Sequence, residues 1–357
     1  MEDDVMKHRD SASNRKRVNL ALQGGGAHGA FTWGVLDKVL EDGRLEIAAI
    51  SGTSAGAMNA VALANGYTAG GADGAREKLA VFWRAMSEAA RFSPVQRAPI
   101  DVLMGNWTLD LSWGFHVVDA MTRMFSPYQW NPLNMNPLRE VVEACVDFDC
   151  VRGCNAIKLY ISATNVETGT VKVFDSSELT VDMIMASACL PFLYQTVVID
   201  GVPYWDGGYM GNPSLFPFHT GSDTADIIVV QINPVQRRGV PHTPQEIQNR
   251  LNEISFNSSL LKELRAIDFV GRLIDEGKLD EKRYRRERLH IIENQEALKS
   301  LGASSKLNAE WAFLTHLRDL GRETAAAWVD RHFDDVGERA TVDLRAMFQG
   351  IGPLHQG

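Results

Sequence analysis

Gly52-Thr53-Ser54-Ala55-Gly56 sets a single hydroxyl among the smallest side chains, between the apolar run "EIAAIS" (46–51) and the helix-like "AMNAVALANG" (57–66). A G-x-S-x-G turn from strand to helix is the setting of a nucleophile elbow, in which flanking glycines leave room for a turn too tight for β-carbons. The serine then stands at a helix start, where developing negative charge is favoured. The competing account is a helix that packs tightly through small residues. A second glycine-rich stretch, Gly24-Gly25-Gly26-Ala27-His28-Gly29, fits G-x-G-x-x-G between the strand-like "RVNLALQ" (17–23) and the helical "FTWGVLDKVLEDG". That is also a dinucleotide-binding pattern. Against it, the next strand ends in Ser51 rather than an acidic residue for a ribose, and runs straight into the serine turn. Beside a serine nucleophile, the backbone N–H groups of Gly25, Gly26 and Ala27 suit an oxyanion hole.

A serine needs a base. In a Ser…Asp…His order the histidine would follow Asp206, as His219, His242 or His290 do, but none lies in a loop with catalytic surroundings. Asp206 does. In "YWDGGYMGNP" it ends a hairpin strand and is followed by Gly207 and Gly208, which let another loop come close.

Together G-G-G-x-x-G (24–29), G-T-S-A-G (52–56) and D-G-G (206–208), in that order and with "GN-P" just after, resemble the patatin-like phospholipase family. The resemblance covers about residues 17–235. It implies a Ser–Asp dyad without a catalytic histidine, with Ser54 as nucleophile and Asp206 as base. The motif glycines are Gly24, Gly29, Gly52, Gly56, Gly207 and Gly208. It also implies hydrolysis of lipid acyl esters with no cofactor. The family often carries Arg or Lys where His28 stands, so His28 is either a phosphate contact or a locally packed ring. An exposed aspartate, with a pKa of about 3.9, is a poor base at neutral pH; Asp206 is therefore expected to be shielded and hydrogen-bonded to Ser54.

These residues need a frame. The first 66 residues read β-α-β-α, which implies a parallel sheet with right-handed crossovers. The expected fold is a three-layer α/β/α sandwich with a mostly parallel central sheet. A helix is expected at 74–90, hairpins at 158–174 and 196–214, a small-residue helix in 181–193 stopped before Pro191, and strands at 226–234 and in "RLHIIE". Residues 91–137, rich in Pro, Met and Trp, read as a cap insertion, with Trp107, Trp113 and Trp130 as candidate acyl-chain contacts. Residues 1–16 read as a polar tail, 17–235 as the catalytic core, and 236–357 as a mainly helical extension packed on it. The stripe Phe256, Leu260, Leu264, Ile267 and Val270 reads as core or subunit contact in preference to a membrane anchor.

The formal net charge of −9 argues against a nucleic-acid partner. Four cysteines are too few for a disulfide scaffold, and Cys145, Cys150 and Cys154 lack a fourth ligand and the C-x2-C spacing of a metal site. With no apolar signal core and no membrane-length run, a cytoplasmic location is expected, with peripheral membrane contact and homo-oligomerisation left open. The functional alternatives are a broader carboxylesterase, thioesterase or acyltransferase on the same dyad, and a catalytically idle lipid-binding or scaffold protein.

Overall fold

Apolar side chains alternate along the central strands, and the two sets lie in different hydrophobic clusters. Val18, Leu20, Leu22, Ile228 and Val230 belong to one; Ala21, Ile227 and Val229 belong to the other. A sheet with period 2 and two apolar faces must be covered on both sides. The structure, a computed structural model, describes residues 15–348. The strands are β1 (Lys16–Leu22), β2 (Leu45–Gly52), β3 (Lys158–Asn165), β4 (Val171–Asp175), β5 (Val197–Ile199), β6 (Val202–Asp206), β7 (Asp226–Gln231) and β8 (Arg288–Glu293). They form one sheet in the order β5-β6-β3-β2-β1-β7-β8, with β4 also paired to β3. The five strands from β3 to β8 run parallel, whereas β4, β5 and β6 join antiparallel at one side.

Five helices bear on the site: α1 (Gly29–Asp42), α2 (Ala55–Ala90), α3 (Val181–Ser187), α4 (Pro244–Asp275) and α5 (Trp311–His332). The larger cluster joins one face of the sheet to α1, α2 and α5 through Phe31, Leu63 and Phe313. The smaller joins the other face to α4 through Leu260, Leu264 and Ile267. The result is a three-layer α/β/α sandwich with a mixed sheet.

Three sequence readings need correction. The helix after Ser54 does not end at Gly66; α2 runs on to a kink at Gly70–Gly71 and then to Ala90. Gly66 and Gly74 sit backbone to backbone across that kink, which folds the second half back on the first. The helix expected to run from 181 up to Pro191 stops sooner, at Ser187, and Ala188 and the residues after it turn away before Pro191. Of the polar tail expected at 1–16, residues 1–14 lie outside the described residues, and Lys16 already belongs to β1. The segment 91–137 contains short helices, Pro99–Leu103, Trp113–Met124 and Pro127–Trp130. It docks on residues 192–196 through Tyr128 to Thr196 and Gln195 to Asn131, and on residues 304–308 through Ser304 to Asp110 and Asn308 to the Trp107 carbonyl.

Because Leu264 is fully buried between α4 and the sheet, Leu264→Ala is expected to lower unfolding free energy by about 2–5 kcal/mol. Urea denaturation measures it. A loss under about 0.5 kcal/mol, the range of surface substitutions, would mean that α4 is not part of the core.

Candidate active site

Ser54 adopts φ 53° and ψ −118°, a left-handed conformation that a serine occupies only under constraint. The constraints are on all sides. The Ser54 N–H donates to the Ser187 hydroxyl at 2.9 Å, and its carbonyl accepts from Met58 N–H at 3.0 Å. Gly56 N–H donates to the Thr53 carbonyl at 2.8 Å, and the Thr53 hydroxyl to the Gly211 carbonyl at 2.6 Å. A side chain on Gly56 would run into the carbonyl of Leu22, so the first turn of α2 can press onto the end of β1 only because that residue is glycine. This is the elbow that the sequence spacing suggests.

Asp206 reaches Ser54 through sheet register. β2 ends at Gly52, opposite Ile161 of β3. β3 runs four residues further, and this overhang pairs with β6, setting Asp206 opposite Ala163. Since β4 occupies the other edge of β3 over Tyr160–Thr164, β2 and β6 follow one another along the same edge. The last residue of β6 is thereby delivered just beyond the end of β2, where the serine turn begins. The Asp206 N–H donates to the Cys189 carbonyl at 2.8 Å. Its carboxylate accepts from Gly208 N–H at 2.7 Å, and the Ser54 hydroxyl favours its charged form.

Asp206 is 1% exposed. Burial pushes its pKa up to about 7; the bond from Gly208, the Ser54 hydroxyl and the charge of Lys306 offset that only in part. A carboxylate in this range can hold or release a proton near neutrality, as a general base must.

The glycine loop lies against the serine: a Cβ on Gly24 would fall 2.8 Å from that of Ser54. Four buried amide side chains clamp it. Gly24 N–H donates to Asn212 Oδ1 at 2.7 Å, and Asn233 Nδ2 donates to the Gly24 carbonyl at 2.8 Å. Gln23 Oε1 accepts from the N–H groups of Ile232 and Asn233, both at 2.9 Å, and Gln23 Nε2 donates to Asn257 Oδ1 at 3.0 Å. Sequence reading missed all four, and Ser187 with them. Gln23 flanks the glycine run and Asn212 stands in "GN-P", so position gave a faint signal for those two. Asn233, Asn257 and Ser187 lie on distant elements, and no spacing announces them.

The other candidates make contacts of their own. His28 is 3% exposed, bonded through Nε2 to the Ser305 hydroxyl at 2.8 Å and edge-on to Phe313. Burial, with the charge of Lys306, depresses its pKa to about 3, so the ring is neutral and packed rather than a cation for a phosphate. Trp107 stacks between the Arg97 guanidinium, Phe313 and His316. Trp113 is 81% exposed, and the Trp130 indole N–H donates to the Phe192 carbonyl at 3.4 Å. His290 bonds to Asp226 at the opening residue of β7, far from the strand ends that carry Ser54; His219 bonds to Glu287.

The family model for patatin-like phospholipase matches residues 20–220, more than half of the chain. The chain belongs to the patatin-like phospholipase family. Membership supports lipid hydrolysis as the class of activity. Among solved structures, VipD from Legionella pneumophila shares 14% identity over 89% of this chain and 67% of its own, with a TM-score of 0.40. The type III effector protein ExoU shares 14% identity over 88% of this chain and 53% of its own, at TM-score 0.33. ExoU from Pseudomonas aeruginosa in complex with SpcU gives 13% identity, 89% and 53% coverage, and TM-score 0.32. The patatin-like chain thus spans about half the length of ExoU. No curated protein sequence matches it. Among the described residues no helix is long and apolar enough to cross a membrane.

Asp206 carries a thermodynamic signature. From about pH 4 to pH 7 the unfolded chain releases a proton that the folded protein keeps, so the wild type loses stability as pH rises through that window. Asp206→Asn has no proton to lose. It is expected to be more stable than wild type at pH 8 by up to roughly 4 kcal/mol, at about 1.4 kcal/mol per tenfold in proton affinity. The gap should shrink towards pH 4. Denaturant unfolding at several pH values reads it, and a gap that does not change with pH would contradict the buried, proton-holding carboxyl.

Proposed function

We propose that this patatin-like protein is a serine acyl hydrolase that cleaves fatty-acyl esters of lipids through a Ser54–Asp206 dyad and an acyl-enzyme. The observation that carries the reading is the Ser54 hydroxyl, presented by a strained turn, set against a buried carboxylate whose pKa lies near 7. Ser54 Oγ attacks the ester carbonyl carbon while its proton passes to Asp206. The carbonyl oxygen becomes an oxyanion beside the Gly25–Ala27 loop, in which the N–H groups of Gly25, Gly26 and Ala27 are the donors we assign to it; one such donor contributes about 2.7–4 kcal/mol to a transition state. Collapse breaks the bond to the leaving alcohol, which takes the proton from Asp206. Water then attacks the acyl-enzyme, gives its proton to Asp206, and displaces Ser54 Oγ, which recovers that proton as the fatty acid leaves.

A lipid substrate also suits the 92–135 surface. Leu103, Met104, Trp113, Met124 and Leu133 are all strongly exposed, and the helix Trp113–Met124 buries none of its residues. Trp with flexible apolar side chains fits a boundary between water and lipid, and we propose peripheral contact of a cytoplasmic protein there. Co-sedimentation with phosphatidylcholine vesicles checks this: wild type pellets and Leu103→Ser with Trp113→Ser does not, whereas wild type left in the supernatant would remove the contact.

The activity itself is tested with p-nitrophenyl acyl esters. The value of kcat/KM is expected to rise with pH through a midpoint near 7. Ser54→Ala and Asp206→Asn should each lower it at least about a thousandfold, and His219→Gln should not change it. Full activity in Asp206→Asn would sink the dyad, and loss of activity in His219→Gln would bring a histidine back.

A further inference from the structure

Outside the segment matched by the family, Lys306 comes to the reaction centre on the 3-10 turn Ser304–Leu307. Its main chain packs on the glycine loop so closely that a Cβ on Gly26, at φ +59°, would collide with the Lys306 carbonyl. Its ammonium donates to Asn233 Oδ1 at 2.7 Å, and the amide of the same Asn233 holds the Gly24 carbonyl. The ammonium also lies 5.4 Å from the ring centre of Phe256, and that ring covers Gly208, the N–H of which is bonded to Asp206. One side chain therefore touches the supports of both loops that meet at Ser54.

The charges around it are few. Neutral His28 faces it from the start of α1, Glu253 from α4, and Asp206 from the end of β6. Glu253 is bonded to Arg237 at 2.6 Å and to Arg250 at 3.1 Å, so it shares its charge between those two and Lys306. Buried Cys189 and half-buried Tyr209, the other titrating groups beside Asp206, are pushed up to about 12 and are neutral at physiological pH. The Lys306 charge thus meets two carboxylates, Glu253 most strongly and then Asp206. Burial brings its own pKa down to about 8, so it is still mostly protonated at neutral pH.

We propose that Lys306 is a positioning residue of this hydrolase: anchored on Asn233 and packed on Gly26, it locks the glycine loop beside Ser54 and lends its positive charge to the Asp206 carboxylate. The proposal rests on the acyl-hydrolase reading of the site, but its first test needs no turnover. With aspartate labelled by 13C at the carboxyl carbon, and Asp206→Asn used for assignment, the Asp206 titration is followed in wild type, Lys306→Gln and Lys306→Arg. Glutamine keeps a donor for Asn233 but no charge. It should raise the Asp206 midpoint by about one pH unit, the scale of a nearby opposite charge; arginine should restore it. The hydrolysis profile should follow, with kcat/KM about tenfold lower at pH 6 and little changed well above the midpoint.

Reciprocity gives a second reading should Lys306→Gln not fold. Asp206→Asn must lower the Lys306 midpoint, followed by 15N at Nζ, because the coupling between two sites is mutual. An Asp206 midpoint unmoved in Lys306→Gln, or a Lys306 midpoint unmoved in Asp206→Asn, overturns the proposal. So does a rate loss in Lys306→Gln that is equal at every pH, since that is what a packing role alone would give. If wild type cleaves no acyl ester while the two midpoints remain coupled, the hydrolase reading fails and the Lys306–Asp206 coupling stands.

Discussion

A carboxylate taken out of water beside a serine hydroxyl is costly, and much of the molecule can be understood from how that cost is met. Asp206 is placed by strand length: β3 outruns β2, and the surplus captures β6 so that its last residue arrives at the serine turn. A one-residue slip of β6 would turn Asp206 to the other face of the sheet. The antiparallel strands appended to a parallel sheet are therefore part of the reaction centre as well as of the scaffold.

The remaining cost is met by hydrogen bonds and by rigid surroundings. Ser54 occupies a conformation that costs of order 1–3 kcal/mol, and it persists because Ser187, Met58 and the Thr53–Gly211 bond hold the turn from three sides. Buried Gln23, Asn212, Asn233 and Asn257 hold the glycine loop, each with its amide engaged. A buried polar network stabilises only when its members are satisfied. Three of these four residues, Asn212, Asn233 and Asn257, themselves lie after β6, which ties the glycine loop of the first β-α unit to chain 188 to 234 residues later.

The chemistry was legible in the sequence where it depended on local backbone. Gly52 to Gly56 announced a tight turn before a helix, and the hairpin expected over 196–214 is the one that delivers Asp206. The layered fold followed from the β-α-β-α order of the first 66 residues. What the sequence hid was tertiary. Nothing near Ser187, Asn233 or Lys306 shows that they converge on one serine, because their nearness is created by register and by the packing of distant helices. His28 could be read as ligand or as core until Phe313 and Ser305 were seen to enclose it. The end of α2 was misplaced because Gly66, which looks like a stop, serves instead as a contact for Gly74.

The central claim is that Ser54 becomes acylated with Asp206 as its base. Acid-quenched samples taken within the first turnovers of a long-chain p-nitrophenyl ester, followed by peptide mass spectrometry, test it most directly. The account predicts an acyl adduct on the peptide that carries Ser54, formed in wild type and lost in Asp206→Asn. Turnover that proceeds with no adduct, or with the adduct on another residue, would contradict it.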